Sequence, residues 1–111
     1  MIEKTILDYL SGKLDMKVYM EIPEKKPGAF VVIEKTGSSR INHIESATLA
    51  VQSYGQTLVE AAKLNERVKQ AMDDAIELPS IGSVRFSTDY NFTDTTLKHY
   101  RYQAVYDITY Y

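Results

Sequence analysis

From Tyr100 to Tyr111 the chain reads Tyr-Arg-Tyr-Gln-Ala-Val-Tyr-Asp-Ile-Thr-Tyr-Tyr, a strict alternation. Tyr100, Tyr102, Ala104, Tyr106, Ile108 and Tyr110 share one face of an extended backbone. Arg101, Gln103, Val105, Asp107 and Thr109 share the other, because successive strand side chains point to opposite sides. This predicts a strand tied into a sheet, with its even-numbered face packed under a helix and Tyr111 spare for a neighbouring molecule. Five of the nine tyrosines of the protein fall here, so this strand brings large apolar surface whose hydroxyls need partners.

Helical periodicity occurs twice. Ile2, Ile6, Tyr9 and Leu10 recur at three- and four-residue spacing, which predicts a short helix over 2–11 with Gly12 as its C-terminal cap. Leu58, Ala61, Leu64, Val68, Ala71, Met72 and Ala75 form a longer stripe, with Glu60, Lys63, Glu66, Arg67 and Lys69 opposite. Thr57-Leu-Val-Glu60 matches a capping box at its start, and the helix is expected to run over 57–76, ending before Pro79. Between and after these lie strand patterns. Val18–Ile22 is a short strand closed by Pro23. Residues 29–36 are a nearly continuous β-branched run, the mark of a strand covered on both faces. Gly37-Ser-Ser39 is expected to break it, leaving a polar link over Arg40–Glu45. A strand over 46–54 follows. In residues 81–92 Val84, Phe86, Thr88, Tyr90 and Phe92 are expected to share a face, and the link 93–99 joins this strand to the tyrosine strand as an antiparallel hairpin. The order α-β-β-β-α-β-β predicts an α+β fold: a mostly antiparallel sheet of about five strands, the long helix 57–76 on one face, and the short helix 2–11.

Length and composition set bounds on this picture. The chain has 111 residues, 44% apolar and 25% charged, enough for one domain (1–111) with a real core. A net charge of -2 and no block of like charges argue against general electrostatic attachment to nucleic acid or membranes. Without cysteine there is no disulfide framework or thiol chemistry. No apolar run approaches a membrane span, and Glu3, Lys4 and Asp8 interrupt the N-terminus, so a soluble protein without a signal peptide is expected.

Candidate chemistry is sparse. His43 has Glu45 nearby and His99 has Asp94, but neither spacing assembles the three or four ligands of a metal site. Asp73 and Asp74 diverge by about 100° on a helix and read as solvated charge. No phosphate-cradling glycine loop, nucleophile elbow or zinc motif occurs. Lys25 and Lys26 are diluted by Glu21, Glu24 and Glu34. No catalytic, cofactor-binding or metal residue is assigned, and no cofactor is expected. An enzyme using His43 or His99 ranks last among the readings. A nucleic-acid-binding α+β module with Tyr100, Arg101 and Tyr102 as a stacking platform is the main alternative to a structural role.

The ordered set of segments carries more. The helix at 2–11, Pro27-Gly-Ala-Phe-Val-Val-Ile-Glu-Lys-Thr-Gly37, Ala47–Tyr54, the Glu/Ala-rich helix and the ending Asn91-Phe…Arg101–Thr109 together resemble the small tail-completion proteins of long-tailed bacteriophages and prophages, also called tail terminators or head-to-tail joining proteins. The resemblance implies a structural protein of the neck without enzymatic activity, located in the virion and assembled in the host cytoplasm. It implies a hexameric ring that caps the tail tube and meets the head connector. Its partners would be identical subunits, the tail-tube protein and a head-completion protein, with DNA passing through the lumen without specific binding and no membrane involved. The family has no catalytic motif to transfer. Recognition is expected in the polar links 37–45 and 93–99, with Arg40, His43 and Glu45 as candidate interface residues.

Overall fold

A computed structural model describes all residues from Met1 to Tyr111. Its elements are α1 (Ile2–Leu14), β1 (Val18–Tyr19), β2 (Phe30–Ile41), β3 (Ile44–Gly55), α2 (Leu58–Asp73), a short 3-10 turn (Ala75–Glu77), β4 (Ile81–Asn91) and β5 (Tyr100–Tyr110). They make an α+β fold. Five strands form one sheet in the order β1-β2-β3-β5-β4, parallel only between β1 and β2.

Both helices cover the same face. Ile2, Ile6, Leu10 and Leu14 of α1 and Leu64, Val68 and Met72 of α2 share one core with Val31, Ile33, Leu49, Val51, Ala104, Tyr106 and Ile108 from the strands. Ala104, Tyr106 and Ile108 of the even-numbered face of β5 thus join the core beneath the helices, with Tyr110 packed against it, while Tyr100 and Tyr102 lie outside that core. Two polar contacts tie α2 to α1. Tyr9 donates its hydroxyl to the Ala71 carbonyl at 2.6 Å, and Arg67 Nη2 donates to the Leu14 carbonyl at 2.8 Å, satisfying a free carbonyl at the end of α1.

The structure corrects several sequence expectations. Helix α1 runs past Gly12 to Leu14 because Leu14 still has core to fill, and Asp15 takes the left-handed cap at φ 52°, ψ 46°. Helix α2 stops at Asp73, with Asp74 as its cap, and the 3-10 turn replaces its last expected turn. Its capping box also closes differently. Thr57 Oγ1 accepts from the Glu60 amide at 3.1 Å, but the Glu60 carboxylate accepts from Gln56 N at 2.9 Å, one residue earlier than the motif requires. Gly37 does not break β2. It follows a register shift after Lys35, so Thr36 is a bulge and the strand continues to Ile41. Strand β4 has two more shifts, one between Ile81 and Ser83 and one between Phe86 and Thr88, and the latter overturns its expected shared face. Val84 and Phe86 pair with Ile108 and Tyr106 on the helix side. Thr88 and Tyr90 pair with Val105 and Gln103 on the open side, since one inserted residue reverses the phase of the alternation.

Candidate interaction surfaces

Residues 37–45 form a projecting β-hairpin rather than a loose link. Arg40 pairs with Glu45 and Ile41 with Ile44 across a two-residue turn, Asn42-His43, whose φ values are 52° and 67°. Positive φ at both central positions is the type I′ geometry that matches strand twist, and asparagine tolerates it well. Arg40 and Glu45 come together: Arg40 Nε donates to Glu45 Oε1 at 2.6 Å and its Nη2 makes an ion pair with the same oxygen. His43 stands exposed at the tip, apart from this contact. Sequence reasoning missed the apolar pair beside it, Ile41 at 70% exposure and Ile44 at 43%. The signal was two isoleucines flanking a polar dipeptide within a strand-length alternation.

The helix-free face of the sheet is a second surface, built in rows across the strands. Nearest the hairpin it is rich in hydroxyls: Ser39, Ser46, Thr109 and Ser83 stand level, with Ser83 Oγ and Thr109 Oγ1 2.6 Å apart. In the next row Thr48 donates to Asp107 Oδ1 at 2.8 Å and Arg85 lies 3.7 Å from Asp107 Oδ2. These rows line an open polar trough of about 650 Å³. Farther along, Gln52 donates to Gln103 Oε1 at 2.8 Å and Gln103 to the Tyr90 hydroxyl at 2.5 Å, a ladder that satisfies two buried amides. The last row stacks flat groups. Phe30 and Tyr54 lie parallel with ring centres 4.4 Å apart, and Arg101 sits 5.7 Å from the Tyr54 ring and 4.4 Å from the Phe92 ring. Arg101 also donates to the Tyr54 hydroxyl at 2.8 Å and to the Phe92 carbonyl at 2.7 Å, so its guanidinium is held by hydrogen bonds beside both rings.

The stacking platform expected from Tyr100, Arg101 and Tyr102 is not one surface. Arg101 pairs opposite Tyr54 on the open face, while Tyr102 pairs opposite Ser53, on the alternate face with Tyr100. The two histidines do not converge either. His43 tops the hairpin, whereas His99 precedes Tyr100 at the opposite end of the sheet, with its Nε2 3.3 Å from Lys26 Nζ. Asp94 meets His99 only through paired backbone bonds, and its carboxylate accepts from the Thr96 and Leu97 amides, ordering the turn 95–98. Asp73 and Asp74 are exposed at the end of α2. No group of three or more His, Asp or Glu side chains gathers to hold a metal, and no helix is long and apolar enough to cross a membrane. Tyr111 is 78% exposed, with its amide donating to the Ser80 carbonyl at 3.0 Å.

What the fold offers is therefore a one-sheet α+β protein whose accessible features are a hairpin tip, an open polar face and two strand edges. No protein-family model and no curated protein sequence matches the chain.

Proposed function

We propose that this protein is a structural subunit of a bacteriophage or prophage neck, one that ends the tail tube and joins it to the head connector as a hexameric ring, without catalysis. The observation that carries the reading is the ordered, full-length series of segments resembling tail-completion proteins. The surface supports it. The helix-free face is lined by serine and threonine hydroxyls, with Arg85 set against Asp107, rather than by concentrated positive charge. A wall of that kind suits a conduit for DNA, because phosphates are held by clustered lysine and arginine. The hairpin tip, with Ile41 and Ile44 flanked by the Arg40–Glu45 pair, is the patch we assign to the tail-tube or head-completion partner. Exposed apolar groups rimmed by charge are common at protein contacts.

Electron microscopy of the protein mixed with tail tubes tests this directly. Capped tube ends are expected, and deletion of the tip with Ile41→Ser and Ile44→Ser as milder variants should weaken capping. Tubes that remain uncapped and continue to grow in the presence of folded protein would exclude the reading. A second reading, binding of single-stranded nucleic acid, is favoured only by the exposed edges of Phe92 and Tyr90 beside Arg101. It requires a salt-dependent mobility shift of single-stranded DNA or RNA that Phe92→Ala reduces. Absence of a shift at low salt eliminates it.

A further inference from the structure

Two stretches of sheet edge are left without a partner. Strand β4 is paired only through β5 over all of Ile81–Asn91. On the other side β1 covers only Val31 and Val32, so the outer edge of β2 is free from Glu34 to Ile41. We propose that these two unlike edges join, β4 of one copy adding to β2 of the next, and that this continuous sheet is the head-to-tail contact of the assembly; the inference rests on the ring-subunit reading above.

Three features of the chain carry it. The first is polarity. Strands β2, β3, β5 and β4 alternate in direction, so β4 runs opposite to β2. Rotation about an axis parallel to the strands therefore places β4 antiparallel to the neighbouring β2, with both sheets facing the same way. Unlike edges related by rotation make a heterologous contact, which closes into a ring when the rotation divides a full turn. The second is level. Reading across the sheet, Ser83 stands level with Ser39, Arg85 with Gly37, Phe86 with Lys35 and Thr88 with Glu34. The free part of β2 thus meets the upper part of β4, and the bulges at Thr36 and Ser87 flank the same row. The third is charge. On the open face Arg85 comes diagonally beside Glu34 of the next copy, and on the helix side Asp89 comes diagonally beside Lys35. Diagonal neighbours on one face are within reach of long side chains. Within one copy Arg85 and Lys35 make only loose ion pairs, at 3.7 Å to Asp107 and 3.8 Å to Glu3. Asp89 is already held by Lys69 at 3.1 Å and Asn65 at 2.8 Å, so the open-face pair of Arg85 and Glu34 carries the charge argument.

The absence of native cysteine makes the contact testable by disulfide trapping. The double variant Ser39→Cys, Ser83→Cys, oxidised mildly at concentrations up to millimolar chain, should yield a ladder of linked multimers ending at a closed ring. Either single variant should yield dimers at most. A register displaced by two residues is caught by pairing Ser39→Cys with Arg85→Cys. In the trapping background, Arg85→Glu and Glu34→Arg should each slow ladder formation several-fold, and together they should restore it. No ladder from either cysteine pair in protein that unfolds cooperatively, or single variants that link as efficiently as the double, would overturn the edge contact. A protein that caps tail tubes but gives no ladder loses this inference and keeps the proposed function. Linked rings that leave tubes uncapped do the reverse.

Discussion

Tyr106 is almost fully buried under α2, and its hydroxyl has no hydrogen-bond partner. Burial, then the charges of Asp73, Asp89 and Glu66, push its phenol above the ordinary tyrosine range. Burial, with Asp74 and Glu77, does the same to Tyr9. A folded-state pKa above the unfolded value means that the folded chain keeps a proton the unfolded chain releases. The corresponding stability is intact below about pH 10, where tyrosine titrates in unfolded chains, and is lost as pH rises beyond it. Urea unfolding at pH 7 and above pH 10 should show this fall, and Tyr106→Phe should reduce it. At pH 7 the same substitution should raise stability by about 1 kcal/mol, since it removes a buried unsatisfied hydroxyl. Gly55 makes the opposite case. A Cβ there would lie 2.6 Å from the Ala61 amide nitrogen, where β3 turns into α2. Gly55→Ala should therefore cost about 1–3 kcal/mol in thermal or urea unfolding, as overpacking does. Neither constraint was legible in the sequence. The alternation placed Tyr106 inside, but whether its hydroxyl found a partner depended on α2. Asn65 was missed altogether: it fills a core position on α2 and donates to Asp89 Oδ2 at 2.8 Å, a contact that no apolar stripe announces.

Among the elements, the β2–β3 hairpin departs most from its sequence pattern. Gly37-Ser-Ser39 looked like punctuation because glycine and serine favour turns. Cross-strand pairing with β3 absorbs them through a single bulge and moves the turn to Asn42-His43. A histidine at φ 67° is held in a conformation that glycine adopts without steric cost. His43→Gly should therefore stabilise the hairpin by about 0.5–1 kcal/mol, following the preference of this turn type, and His43→Val should destabilise it. Chemical denaturation with hydrogen exchange over 38–47 measures both. If His43 also contacts a partner, His43→Gly will weaken tube capping while stabilising the free protein. The two helices and β5 were far more legible, because their periodicities run over ten or more residues and agree with their burial.

For the whole molecule, one core of 18 buried residues joins both helices to every strand of the sheet. Such contiguity predicts a single cooperative transition, with calorimetric and van't Hoff enthalpies in agreement; separate melting of the hairpin half would contradict it. The overall dimensions, 44 × 26 × 24 Å, reflect strands of eleven and twelve residues, about 40 Å long at the usual rise per residue. The order of the sheet leaves β4 and the outer edge of β2 from Glu34 to Ile41 without a strand partner, and these are the edges that the trapping experiment probes.

By itself the sequence determined the order of elements, the α+β class, the buried faces of α2 and β5, and the absence of thiol chemistry. These follow from local periodicity and composition, which act within a few residues of where they are read. Tertiary structure decided the rest. Three inserted residues, Thr36, Gly82 and Ser87, reverse which side chains face the helices, and only pairing with a neighbouring strand reveals them. The order β1-β2-β3-β5-β4 likewise decides that β4 and the upper half of β2 are edges. An edge is defined by what does not pair with it, and no single strand's sequence encodes that.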